Sequence, residues 1–194
     1  MFHTNTPDYA SRDMIESIRQ QEFYRNSSDR LIHCEPTLTN VRRIADYILE
    51  TDSLEALQET NQDYPLFLQV AMKLAESKHK IKKVDNPVYV SVVHAMYLED
   101  IRIRSREEHP DGEDFLNVKV DQLSWLFDSN DKVQWELLMV DDGCKRGSGK
   151  IAQKIIDEKK YDNVKVLYLE EAINSKLPTT ENLHSTHESN KGGA

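Results

Sequence analysis

The chain has 194 residues, 38% hydrophobic and 30% charged, with a formal net charge of −9; this supplies apolar material for one medium domain or two small ones with a solvated surface. The acidic balance excludes a general nucleic-acid binder, which needs a concentrated basic face, and no apolar run approaches the ~20 residues of a membrane span. The two cysteines, Cys34 and Cys144, are far apart and in no metal-ligand spacing, which predicts a reduced, cytoplasmic protein, and "MFHTNTPDYA" lacks the apolar core of a signal peptide.

Residues 1–85 read as helices only. Pro7 to Tyr24 predicts a helix with Met14, Ile15 and Ile18 inward. In "TLTNVRRIADYILE" Val41, Ile44, Ala45, Ile48 and Leu49 fall on one helical face, and Thr39 is placed to cap its amino end. "DSLE" from Asp52 has capping-box form, with Glu55 three residues on. In "YPLFLQVAMKLAES" Pro65 suits the first turn, and Phe67, Val70, Ala71 and Leu74 share a face. The region reads as a small helical bundle without a catalytic pattern.

From 86 to 194 the periodicity changes. "PVYVSVVHA" (Pro87 to Ala95) is rich in β-branched residues and predicts a strand. The polar connection "EDIRIRSREEHPDGED" follows, with Arg102, Arg104 and Arg106. It reads as a solvated loop or as a source of arginines for a bound diphosphate. Leu116, Val120, Leu123 and Phe127 recur at helical spacing, "WELLMV" is a buried strand, "GKIAQKIIDEKK" a helix and "VKVLYL" (Val164 to Leu169) a strand. The order β-α-β-α-β predicts an α/β fold with a parallel, Rossmann-like half-sheet. Its continuous apolar strands predict cover on both faces.

In open parallel sheets ligands bind beyond the carboxyl ends of the strands. Those positions hold Tyr97 and Glu99, then Asp141 and Asp142, then Glu170 and Glu171. Acidic tips repel bare phosphate and suit ribose hydroxyls, the N–H groups of a base, or a divalent cation. A Walker A loop fails, because Cys144 stands at its first glycine and Ile151 at its Ser/Thr. Gly147-x-Gly149-x-x-Ala152 matches a dinucleotide fingerprint, with Glu170 about 20 residues on, but Asp141 to Arg146 separate the strand from the glycines. A nicotinamide-dependent oxidoreductase is the alternative that this pattern keeps open; a non-catalytic interaction module is another. Asp141-Asp142-Gly143 also reads simply as a turn with a helix cap. "HSTHE" (His184, His187, Glu188) lies in a polar loop and lacks a third ligand, so no metal site is expected there. His94, Trp125 and Tyr168 read as packed residues.

Taken together, "VSVVHAMYLED" and "ELLMVDDGCKRGSGKIA" resemble the opening of a family 2, GT-A-type nucleotide-sugar glycosyltransferase. Tyr97 and Glu99 match the Pro-Ala-Tyr-Asn-Glu-like motif of its first strand. Asp141, Asp142 and Gly143 match the Val-Asp-Asp-Gly-Ser-x-Asp-x-Thr motif of the next, with Cys144 for the serine and Ser148 for the threonine. The terminal "SNKGGA" resembles the Asn-x-Gly-Lys-Gly-x-Ala segment that follows the third strand. Ala95, Leu98 and Arg146 depart from the pattern, standing for proline, asparagine and aspartate.

The resemblance implies that Tyr97 and Glu99 line a nucleotide pocket and that Asp141 or Asp142 accepts hydrogen bonds from the base or ribose. It implies that Gly143 turns the chain under the ligand and that Lys191 approaches the nucleotide-diphosphate sugar. It also implies transfer of the sugar to an unidentified acceptor and a Mg²⁺ or Mn²⁺ cofactor. The family's metal-binding Asp-x-Asp and its catalytic base follow the Lys-Gly segment, and no Asp-x-Asp occurs in this sequence. The expectation is therefore an amino-terminal, nucleotide-binding portion without sugar transfer of its own. By the same analogy the sheet order is 3-2-1, which leaves "VYVSVV" an open edge and a route to a homo-oligomer.

Overall fold

The computed structural model describes residues 8–29, 35–59 and 64–186. The chain divides into two compact units, Met1–Lys83 and Val84–Ala194. Among the described residues no helix is long and apolar enough to cross a membrane.

The described part of the first unit is helical: α1 (Asp8–Gln20), α2 (Glu22–Arg25), α3 (Glu35–Glu50), α4 (Leu54–Glu59) and α5 (Leu66–Lys82). Its apolar stripes meet as the 3.6-residue period requires. Ile15 and Ile18 of α1 are buried with Val41, Ile44, Ala45 and Ile48 of α3; the side chain of Met14 lies outside the described residues. Polar bonds join the helices: Ser17 Oγ and Tyr47 Oη are 2.5 Å apart, and Lys78 Nζ donates to Asp46 Oδ1 at 2.9 Å.

Three details differ from the sequence expectation. The backbone of α3 starts at Glu35, so Thr39 sits inside the helix and is not its cap. Asp52 takes a left-handed conformation (φ 51°) and α4 starts at Leu54, which moves the cap position to Ser53 and breaks the Asp52–Glu55 box. In α5 the buried residues are Phe67, Leu68, Ala71 and Ala75, so the inward face is turned toward Leu68 and Ala75 from the expected Val70 and Leu74.

The second unit runs β1 (Val88–Met96), α6 (Phe115–Phe127), β2 (Val133–Asp141), α7 (Ser148–Lys159), β3 (Val164–Tyr168) and α8 (Leu169–Asn174), then a 3-10 turn at Pro178–Thr180. The sheet is parallel and ordered β1-β2-β3. Leu137 and Met139, in the central strand, are fully buried with Met96 of β1 and Leu116 of α6. On this face His94 packs on Phe115, ring centroids 5.2 Å apart, and Phe127 on Trp135 at 6.0 Å. Burial draws the His94 imidazole below its ordinary value, as expected for a packed histidine.

Among the described residues of the second unit, the expected cover is found on one sheet face only. Tyr89, Ser91, Val93 and Ala95 of β1 are exposed, and Val93 is 64% so. They stand in register with Gln134, Glu136, Leu138 and Val140, and Lys165 and Leu167 of β3 continue the same face. Strand order and crossover hand explain this. Successive right-handed crossovers advancing in one direction put both connecting helices on the same side. The apolar runs that suggest two-sided cover therefore include residues that face outward. Glu136 is the polar centre of this face, accepting from Ser91 Oγ at 2.8 Å and Lys165 Nζ at 2.9 Å.

Candidate functional site

The turn after β1 and the loop after β2 meet at adjacent strand tips. Met96 is in register with Asp141, and the Asp142 amide donates to the Met96 carbonyl at 3.2 Å. Leu98, whose left-handed backbone (φ 62°) reverses the chain, points its N–H at Cys144 Sγ, 3.4 Å away. The Glu99 N–H donates to the buried Ser148 Oγ at 3.0 Å. Segments more than forty residues apart thus form one rim, which holds the predicted residues Tyr97, Glu99, Asp141, Asp142 and Gly143 together. Lys191, His187 and Glu188 lie outside the described residues.

The two aspartates differ sharply. Asp141 is only 5% exposed. Its Oδ1 accepts from the Cys144 N–H at 2.7 Å and its Oδ2 from the Gly149 N–H at 2.8 Å. The carboxylate therefore sits at the amino end of α7, where unsatisfied N–H groups and the helix dipole favour negative charge. A Cβ at Gly149 would lie 2.3 Å from Asp141 Oδ2 and 2.7 Å from Tyr168 Cε1, so only glycine lets the carboxylate approach this closely. The same contact fills the place that a pyrophosphate would take under the Gly147-x-Gly149 fingerprint. Asp142 is the half-buried carboxylate of the pair.

The rest of the rim is a set of charge pairs and small groups. Arg102 is held by Glu99 at 3.0 Å and Glu113 at 2.9 Å and lies 5.7 Å from the centre of the Phe115 ring. It is a clamp on the β1–α6 connection, with Ile103 fully buried beside it, rather than an arginine free to reach an anion. Arg146 Nη1 lies 3.6 Å from Asp100 Oδ1. Burial pushes the Cys144 thiol up, but hydrogen bonds from Ser148 and from the Leu98 and Arg146 backbone outweigh it and bring the thiol below its ordinary value. Gly143 has φ 70°, and a Cβ there would meet Thr186 Cβ at 2.4 Å, so the segment after α8 returns to lie against the Asp-Asp-Gly turn.

Glu170 and Glu171 are not at a free third tip: they form the first turn of α8, which continues directly from β3. An open cavity of about 380 Å³ lies elsewhere, lined by Lys150, Gln153, Lys154, Asp157, Glu158 and Tyr168; none of the described predicted site residues lines it. Among the described residues no group of three or more His, Cys, Asp or Glu side chains is placed to hold a metal ion.

Sequence reading missed Asp100, although "YLED" shows it as a second carboxylate beside Glu99. It also missed the return of Thr186 to Gly143, for which no local signal exists. The chain matches no family model, no curated protein and no solved structure.

Proposed function

We propose that the tips of β1 and β2 bind the nucleoside part of a nucleotide-diphosphate sugar, and that the chain is the nucleotide-binding portion of a GT-A-type glycosyltransferase. The observation that carries this reading is the meeting of the two motif segments. The Glu99 and Ser148 ends are joined by a 3.0 Å hydrogen bond at neighbouring carboxyl tips of a parallel sheet, where such folds bind ligands. In this reading Asp142 accepts from the base or ribose, and Tyr97 and Glu99 form the opposite wall. Asp141 acts through the loop it holds rather than by touching the ligand. A carboxylate accepting from a base edge or diol contributes on the order of 1.5–3 kcal/mol per hydrogen bond. The described residues do not form a site for the Mg²⁺ or Mn²⁺ that the resemblance implies, so no step here runs through a cation. The filled amino end of α7 weighs against the nicotinamide alternative.

Thermal denaturation of the 194-residue chain with a panel of ligands tests the reading. A uridine or guanosine diphosphate-sugar at a hundred times its dissociation constant adds about 2.7 kcal/mol, which raises the midpoint by several degrees. Asp142→Ala abolishes the shift. NAD gives none. Stabilisation by NAD and by none of the nucleotide-sugars would sink the proposal.

A further inference from the structure

We propose that Arg146 meets the diphosphate of the nucleotide and that Asp100 positions it; this rests on the nucleotide-sugar reading above. The rim gathers four carboxylates, Glu99, Asp100, Asp141 and Asp142, and a diphosphate brought beside them is repelled unless a cation stands between. The helix dipole of α7 cannot serve, because the Asp141 carboxylate already occupies its amino end at 2.8 Å from the Gly149 nitrogen.

Among the cations near the rim, Arg146 has the right placement and freedom. It lies in the loop between Gly143 and Gly147, both left-handed (φ 70° and 75°). Its side chain is 57% exposed, and Asp100 Oδ1 lies 3.6 Å from Nη1. The Asp100 Oδ1 atom is buried and accepts no hydrogen bond among the described residues. The pair is thus an ion contact, anchored on a largely buried carboxylate, without the hydrogen bond that would lock the guanidinium. The Arg146 guanidinium is a planar fork whose geometry matches two phosphate oxygens. A Cβ on the adjacent Gly147 would meet nothing within 4 Å, so the loop is open at that position. Arg102 is unsuited, since Glu99, Glu113 and Phe115 already hold it. Lys145 is exposed in the same loop, but its ammonium is a point charge without the fork.

Calorimetric titration of the full chain with uridine, guanosine and their diphosphates tests this. The expected result is that one nucleoside binds and its diphosphate binds more tightly. Arg146→Gln then weakens the diphosphate about tenfold, the scale of one lost charge-assisted contact, and leaves the nucleoside unchanged. Arg146→Lys recovers part of the loss, and Lys145→Gln changes the diphosphate less than about twofold. Unchanged nucleoside affinity also certifies that the variant is folded. Diphosphate affinity that survives Arg146→Gln, or falls in step with the nucleoside, overturns the role of Arg146 and leaves the nucleotide reading standing. A diphosphate that binds no tighter than its nucleoside does the same. If none of the four ligands binds the unaltered chain, both fall.

Discussion

Asp141 ties its loop to α7 from within the chain. Two backbone N–H groups, of Cys144 and Gly149, depend on its oxygens, and the carboxylate is buried. Asp141→Ala leaves both donors without their acceptor, and each hydrogen bond to a charged group contributes about 1.5–3 kcal/mol. Urea denaturation should therefore show a loss of roughly 3 kcal/mol or more, whereas Asp142→Ala, at a half-buried position, stays within about 1 kcal/mol. Equal losses would contradict the asymmetry. Cys144 offers a second test. Its thiol lies below the ordinary range because donors from Ser148, Leu98 and Arg146 outweigh burial. The rate of alkylation should reach half its maximum at a lower pH than that of an unstructured cysteine peptide assayed alongside, and Ser148→Ala should move that midpoint upward. The sequence displays the Asp141-Asp142 pair but treats its members alike. Which of them turns inward depends on strand register and on where α7 begins, and neither is written in the dipeptide.

At the scale of the element, β2 shows how a strand's two faces diverge. Leu137 is fully buried against the helix-covered side, while Val93, next to Leu138 on the other side, is exposed. Leu137→Ala should cost about 2–5 kcal/mol through lost transfer energy and a residual cavity. Val93→Thr should stay within about 0.5 kcal/mol. Chemical denaturation of the two variants checks the contrast, and a costly Val93→Thr would mean that this face is covered in solution. Strands and helices of the second unit were legible because their periods are strong: β1, β2 and β3 fall within a residue or two of the apolar runs, and α6 and α7 where helical spacing places them. The helix starts of the first unit were less legible. Thr39 and Asp52 have cap chemistry, but α3 extends a turn earlier and Asp52 adopts φ 51°; local preference is a weak signal that the surrounding chain overrides.

For the whole molecule, the legible part is the succession of a helical region and a parallel α/β unit, since composition and period change together near residue 85. The illegible part is which sheet face stays bare, because the apolar runs of β1 and β2 do not announce that both crossovers lie on one side. That bare face carries Val93 beside Leu138, and Val140 beside Leu167, around the Glu136–Lys165 pair at 2.9 Å. The described sheet also ends at β1, which pairs with β2 alone. Bare apolar surface next to an unpaired strand edge favours self-association. Sedimentation velocity should show coefficients that rise with protein concentration, and Val93→Lys should flatten the rise. A chain that sediments as a monomer at all concentrations would remove this expectation.

The carboxylate of Asp141 reaches one N–H at each end of the span from Cys144 to Gly149. That span therefore has its shape before any small molecule arrives. Binding there would meet a preorganised surface, and little of the interaction energy would be lost to freezing the backbone. A tether of this kind also makes the surface less adaptable: a guest of different outline would find the wall unyielding, so discrimination would come from fit rather than from accommodation.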